Sequence, residues 1–155
     1  MHTRVIVPLA SAAALMFACG PWSIASQRDD DDNAAQHARV ETKTPVAHAL
    51  DVRVGDGVEL ELEILNNTRR SLELKFSSGH THDFVILDEA DREVWRWSSG
   101  RMFTSAMQTR LVRSGNAATY QTQWDAEGAS GKYVAVAMLH ATNHPVSARV
   151  PFALP

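Results

Sequence analysis

The chain has 155 residues, a formal net charge of −3 and a sequence pI near 6.1. This length is enough for one domain, and the weakly acidic charge balance argues against nucleic acid as a partner. A single cysteine excludes an internal disulfide, so a hydrophobic core alone must hold the domain together.

The first 18 residues have the pattern of a secretory signal peptide. His2 and Arg4 give a weakly basic start, and an apolar segment of 13 residues runs from Val5 to Phe17. That segment is shorter than the ~20 residues that a membrane-spanning helix needs, and it fits the apolar region of a signal peptide. The sequence therefore predicts export of the protein, with residues 1–18 as the signal peptide.

The cysteine, Cys19, directly follows this segment in the order Met16-Phe17-Ala18-Cys19-Gly20. This order resembles a lipoprotein processing site, at which the cysteine receives two acyl chains. Two chains are sufficient for stable anchoring in a membrane, so we expect a lipid anchor at Cys19. The alternative is ordinary cleavage after Ala25, which would discard Cys19 and leave a soluble secreted or periplasmic protein.

Residues 19–45 are predicted to form an acidic, flexible tether between the anchor and the folded domain. The segment includes four consecutive aspartates, Asp29 to Asp32, and shows no apolar periodicity. A block of like charge of this kind stays solvated. A metal site in the aspartates is disfavoured, because a flexible run has no fixed ligand geometry.

Residues 46–155 contain a succession of short segments with the pattern of β-strands. Between Val58 and Ile64, apolar residues alternate with glutamates, which is the period of a strand with one buried face. The strands are predicted at 50–54, 58–64, 72–76, 83–88, 94–98, 109–112, 120–124, 133–139 and 146–152, and one short helical turn at 102–107. Eight or nine strands without a helical crossover predict an all-β fold, an antiparallel β-sandwich.

The same region carries the motifs of a known family. They are S-S-G-H-x-H-D-F-V-I-L-D, E-V-W-R-W-S-S-G-R-M-F-T, Y-Q-T-Q-W-D and G-K-Y-V-A-V-A, in this order and spacing. From about Val58 to Leu154 the chain resembles the BsuPI intracellular proteinase inhibitor family. The most specific matching residues are Gly79, Asp83, Phe84, Trp95, Trp97, Ser98, Trp124, Gly131 and Tyr133. The resemblance implies an immunoglobulin-like β domain without a cofactor, from a family whose founding member inhibits a subtilisin-type serine protease.

Motifs for catalysis are missing from the sequence, which contains no Gly-x-Ser-x-Gly elbow and no HExxH helix. The histidines His80, His82, His140 and His144 are of the type that zinc sites use. Loop histidines are more often exposed or hydrogen-bonded, so no metal site is predicted. Asp83 is expected to accept hydrogen bonds from backbone N–H groups of its own loop.

Trp95 and Trp97 lie two residues apart, which places them on one face of a strand. At least one of them is expected to pack into the core, where a tryptophan buries on the order of 200 Å². The alternative is a surface pair that stacks on sugars or grips a protein, since tryptophan is favoured at binding hot spots. Arg96, on the opposite face, is available to pair with a carboxylate.

The segment after this strand is the candidate for contact with a protease. Gly100, Arg101, Met102 and Phe103 lie in a break between two predicted strands. Subtilisin-type specificity pockets accept large apolar side chains, which Met102 and Phe103 provide. The alternative is that Phe103 packs against the sandwich edge and Gly100 only turns the chain.

These observations predict an exported, noncatalytic binding domain rather than an enzyme. Inhibition of a subtilisin-type serine protease is the leading hypothesis for its function. The second hypothesis is an adaptor that binds a cell-envelope protein or carbohydrate without inhibiting a protease. Expected partners are thus a serine protease or another envelope protein, and a membrane through the lipid anchor.

Overall fold

The structure is a computed structural model that describes residues 36–40 and 45–155, with side chains from residue 45 onward. The predicted signal peptide, the lipidation site Cys19 and most of the predicted tether lie outside the described residues. Within the described ranges, no helix is long and apolar enough to cross a membrane.

The described part of the chain is built from ten β-strands, and every strand pair is antiparallel. The strands are β1 (Gln36–Val40), β2 (Val46–Val54), β3 (Val58–Asn66), β4 (Leu72–Phe76), β5 (His82–Asp88), β6 (Glu93–Arg96), β7 (Gln108–Val112), β8 (Ala117–Trp124), β9 (Gly131–Leu139) and β10 (Val146–Leu154). Strands β2 to β10 correspond to the nine predicted strands. The predicted all-β, antiparallel fold is therefore confirmed.

The strands form two four-stranded sheets, in the orders β1-β2-β3-β8 and β10-β9-β5-β6, and a two-stranded sheet of β4 and β7. One hydrophobic core joins all three sheets. It includes Leu50 and Leu62 from the first sheet, Phe84 and Ile86 from the second, and Leu74 from the third. In β3, β4 and β10, alternate side chains are buried in this core, because successive residues of a strand face opposite sides. The result is a β-sandwich, consistent with the immunoglobulin-like type implied by the family resemblance.

Strand β1 corrects one part of the sequence analysis. The flexible tether was predicted to extend over 19–45, but Gln36–Val40 pairs with β2, from Gln36 opposite Val52 to Val40 opposite His48. The pairing uses backbone groups, which a pattern of apolar side chains does not reveal. It supplies hydrogen-bond partners to an edge of β2 that would otherwise be open.

The small sheet is attached to the sandwich by two asparagines. Asn66 is fully buried, and its Nδ2 donates to the carbonyls of Arg70 and Val112 at 2.8 Å each. Asn143 pairs with the other edge, where its Nδ2 donates to the carbonyl of Glu73 and its Oδ1 accepts from the N–H of Lys75. These bonds fix β4 and β7, and so they fix one end of the segment that leads from β6 to β7.

Candidate functional site

The segment that joins β6 to β7 links two different sheets. A turn opens it, in which the N–H of Arg101 donates to the carbonyl of Ser98 at 3.1 Å. Gly100 has a φ of 73°, in the left-handed region that glycine adopts without strain. Residues 101–107 then run without helical structure, so the helical turn predicted there is wrong. The carbonyl of Thr104 accepts instead from the N–H of Gly79, at 2.8 Å. We call residues 99–107 the exposed loop.

Asp83 is a buried carboxylate that accepts hydrogen bonds from the turn at the start of the exposed loop. Its side chain is 1% exposed. Oδ1 accepts from the N–H groups of Phe84 and Ser98, at 3.0 and 3.1 Å. Oδ2 accepts from the hydroxyl of Ser98 at 2.7 Å and from Nη1 of Arg96 at 2.8 Å. Asp83 accepts backbone hydrogen bonds as predicted, but the donors are Phe84 on β5 and the distant Ser98, and not N–H groups of its own loop. These bonds connect β5 to the start of the exposed loop.

Arg96 supplies the positive charge that offsets the buried carboxylate. Besides Asp83, its guanidinium contacts the exposed Glu93, to which Nε donates at 3.0 Å. Burial acts to raise the pKa of Asp83, but hydrogen bonds from Ser98 and Arg96 outweigh it and hold this pKa below its ordinary value. The carboxylate is therefore charged at neutral pH, and it is compensated by four donors.

Phe103 is held against a group of aromatic rings beneath the exposed loop. Its ring stacks on His80, with centroids 4.4 Å apart and an interplanar angle of 16°. The ring of Trp97 lies 5.7 Å away on centroids, and His82 lies 4.3 Å from Trp97. His140 meets His80 edge-on at 4.4 Å. Such contacts add to the stability that burial of the rings provides, so Phe103 is fixed in place on the domain.

Arg101 and Thr104 are fixed by separate contacts on either side of Phe103. Nε of Arg101 donates to the carbonyl of Trp97 at 2.8 Å, and its guanidinium lies 4.5 Å from the centroid of the Trp97 ring. Thr104 lies against Gly79 so closely that a Cβ on Gly79 would be 2.7 Å from the Thr104 methyl carbon. The glycine thus permits the close approach of two chain segments.

Met102 lies between these fixed neighbours and is 99% exposed. The four residues predicted for protease contact therefore differ in what they offer a partner. Gly100 turns the chain and Arg101 folds back onto Trp97. Phe103 is half-buried, which agrees with the alternative that it packs against the sandwich. Met102 alone of the four presents its whole side chain to solvent.

The exposed loop is thus anchored to the β-sandwich at several points. A comparison with known protein families shows to which family the chain belongs. The family described as BsuPI, intracellular proteinase inhibitor, matches residues 46–144, which is more than half of the chain. The chain belongs to the BsuPI family. A comparison with curated proteins found no match.

Family membership confirms two predictions made from the sequence. The resemblance seen in the motifs was correct, and the matched range begins at Val46, the first residue of β2. The prediction that the protein is not an enzyme is also confirmed, because a proteinase inhibitor binds its target and does not transform it. The BsuPI family thus makes a protease the expected partner.

The family-motif residues of this BsuPI domain fall into two groups in space. Gly79, Asp83, Phe84, Trp97 and Ser98 surround the start of the exposed loop, and Trp95 lies beside them on β6. Trp124, Gly131 and Tyr133 lie at the opposite end of β9, where the rings of Trp124 and Tyr133 meet at 5.5 Å. The second group lies at the far end of the core, away from the exposed loop.

Trp95 and Trp97 both pack against the core of the BsuPI domain, as expected. Strand β6 ends at Arg96, but the N–H of Trp97 still donates to the carbonyl of Phe84 at 2.9 Å, so the pairing with β5 continues one residue into the turn. His82, Phe103 and the guanidinium of Arg101 already contact the Trp97 ring. A sugar would have to displace these neighbours to stack on Trp97.

The histidines of the BsuPI domain contribute to packing and electrostatics. Burial lowers the pKa of His82 to about 4, and burial with the nearby His140 lowers the pKa of His80. Nε2 of His80 is buried without a hydrogen bond and lies 3.6 Å from Oδ2 of Asp83. The described residues contain no group of three or more His, Cys, Asp or Glu arranged to hold a metal ion. His80 and His82 are therefore neutral at neutral pH, and they line the base of the exposed loop.

Proposed function

We propose that the protein is an exported inhibitor of a subtilisin-type serine protease, and that Met102 enters the main specificity pocket of the enzyme. One observation carries the proposal. Met102 is 99% exposed, whereas Arg101 and Phe103 on either side of it are held to the domain. An apolar side chain that points outward between two fixed neighbours is what a protease pocket can receive.

The anchoring of the loop accounts for how it would bind tightly. Ordering a free loop on binding costs about 0.5–1.5 kcal/mol for each immobilised side chain. Here the contacts of Arg101 with Trp97, Phe103 with His80, and Thr104 with Gly79 have already ordered the loop. Binding therefore loses little further conformational entropy. Strong anchoring also resists the movement that would carry the chain through cleavage.

The same geometry favours one class of protease. Met102 is large, apolar and free, so it suits the apolar pocket of a subtilisin-type enzyme. Arg101 would be the residue offered to an arginine-specific protease, but its guanidinium already contacts Trp97. Its release would sacrifice both that cation–π contact and a hydrogen bond. We therefore expect inhibition of enzymes with apolar pockets.

Export is the second part of the proposal, and it rests on the sequence. The apolar segment Val5 to Phe17 and the following Cys19 support a signal peptide and a lipid anchor. A protein exported in this way meets proteases outside the cytoplasm, in contrast to the intracellular inhibitor of the family description. Incorporation of labelled palmitate that disappears in Cys19→Ser would support the anchor. Equal labelling of both proteins, or none in either, would contradict it.

The inhibitory role is tested by a paired substitution in the full chain. Met102→Lys places a charge in an apolar pocket, and we expect the inhibition constant against subtilisin to rise by about 100-fold or more, equivalent to about 2.8 kcal/mol. Met107→Lys is the matched control, because Met107 is also exposed, at 85%, but lies at the end of the loop. Both variants should retain the melting temperature of the parent.

Two results would contradict the proposed function. If the unmodified protein leaves subtilisin and envelope proteases fully active at micromolar concentration, the protein does not inhibit this class. The second hypothesis, an adaptor that binds a cell-envelope partner, would then be favoured. If the protein inhibits but Met102→Lys inhibits equally well, the contact lies elsewhere on the domain.

A further inference from the structure

The sulfur of Met102 is placed where a change in its chemistry would affect binding and not the fold. The side chain is 99% exposed and lies outside the core cluster of the domain. We infer that oxidation of Met102 to its sulfoxide by a peroxide turns the inhibitor off. This inference rests on the proposed function, since it concerns the residue that would enter the protease pocket.

The reaction needs no group from the protein except the thioether. A lone pair of the sulfur attacks the outer oxygen of a hydroperoxide, so an S–O bond forms as the O–O bond breaks. Sulfur loses two electrons and the peroxide gains them. A proton moves to the departing oxygen, which leaves as water when the oxidant is hydrogen peroxide. The step therefore balances with the peroxide as the one co-reactant, and sulfoxide reductases can reverse it.

Accessibility separates Met102 and Met107 from Met138, and position in the loop separates Met102 from Met107. Met138 is half-buried within strand β9, where neighbouring strands limit access to its sulfur. Met107 is 85% exposed and should also be oxidised, but it lies at the loop end next to β7. Among the described residues, oxidation therefore produces two surface sulfoxides, of which that of Met102 lies between the fixed residues Arg101 and Phe103.

The sulfoxide differs from the thioether in the property that an apolar pocket selects. Its S–O group is a strong hydrogen-bond acceptor, and an apolar pocket has no donor for it, so binding would leave this group desolvated and unpaired. We expect the inhibition constant to rise by at least about tenfold, which corresponds to 1.4 kcal/mol. The fold should be unaffected, because the side chain is almost fully surrounded by solvent.

The experiment treats the full chain with hydrogen peroxide and follows three readouts. Mass spectrometry of peptides gives the fraction of each methionine that gains one oxygen. The inhibition constant against subtilisin and the melting temperature are measured on the same samples. In the parent and in Met107→Leu, loss of inhibition should follow the oxidised fraction at Met102, with the melting temperature unchanged. A sulfoxide reductase should restore inhibition.

Met102→Leu provides the second comparison, because it removes the sulfur and keeps an apolar side chain. Its own inhibition constant, whatever its value, should be the same before and after peroxide. Complete oxidation of Met102 with an unchanged inhibition constant would overturn the inference. So would an equal loss of inhibition in peroxide-treated Met102→Leu. Absence of inhibition before any treatment would instead refute the proposed function, and the inference with it.

Discussion

Replacement of Asp83 with Asn tests how the exposed loop is held to the sandwich. The amide keeps the size of the carboxylate, and its oxygen can still accept from the N–H groups of Phe84 and Ser98. The new Nδ2 then faces the hydroxyl of Ser98, which can rotate to accept, and Nη1 of Arg96, which can only donate. A hydrogen bond to a charged group contributes about 1.5–3 kcal/mol, so we expect the free energy of unfolding to fall by about 2–3 kcal/mol.

Urea and thermal unfolding at pH 7 measure this loss. A change of about 2–3 kcal/mol corresponds to a decrease of roughly 8–15 °C in Tm for a domain of this size. Glu93→Gln is the matched control, since Glu93 is the second carboxylate on Arg96 but its side chain is 44% exposed. Its loss should stay below about 1 kcal/mol, as for other surface pairs.

The comparison of the two variants decides whether the buried carboxylate organises the turn. Equal losses in Asp83→Asn and Glu93→Gln would refute the reasoning, because burial would then make no difference. Combining Asp83→Asn with Arg96→Met gives the coupling between the two groups directly. A coupling of less than about 0.5 kcal/mol would show that they act independently.

Two further predictions concern the base of the exposed loop. Gly79→Ala should raise the inhibition constant by at least about tenfold, because its Cβ would lie 2.7 Å from the Thr104 methyl carbon and 3.2 Å from the Thr104 backbone nitrogen. Adding Thr104→Ser removes the methyl and should restore part of the inhibition. A double variant no better than Gly79→Ala would contradict the contact with the methyl as the cause. Burial lowers the pKa of His82 from 6.5 to about 4 in the folded protein. As the pH falls, the His82 imidazole is therefore protonated in the unfolded chain before it is protonated in the folded one. Stability should therefore be intact above about pH 6.5 and decrease between about 6.5 and 4, by up to about 3 kcal/mol. Unfolding measured across this range in the parent and in His82→Gln checks it, since a slope that survives the substitution would have another origin.

The strands were predictable because their signal is local. Val58 to Ile64 alternates between apolar residues and glutamate, and the structure buries the apolar side of β3 at each second residue. The bonds of Asp83 were predictable only in part. Its bond from Phe84 is one residue away, but the bonds from Ser98 connect residues 15 apart in the chain. Which residues of a strand are buried can therefore be predicted from the sequence more readily than which residue a buried side chain bonds to.

The contacts that hold the exposed loop against the domain could not have been predicted in the same way. Contact of Phe103 with His80, and of Thr104 with Gly79, depends on how the segment between β4 and β5 meets the exposed loop in space. The sequence presented His80 as a candidate metal ligand, which carries no information about a stacked phenylalanine. Glycine at 79 was marked by the family motif, but only the short distance to Thr104 explains the requirement for it.

Strand β1 has a consequence for anyone who trims the chain to its family boundary. The matched range starts at residue 46, so a shortened protein that begins there lacks Gln36–Val40. The edge of β2 that β1 covers, from His48 to Val52, would then be open to solvent. Exposed strand edges recruit other strands, and two shortened copies could join through them. Self-association of such a fragment would result from the absence of β1 and would not indicate the oligomeric state of the intact protein.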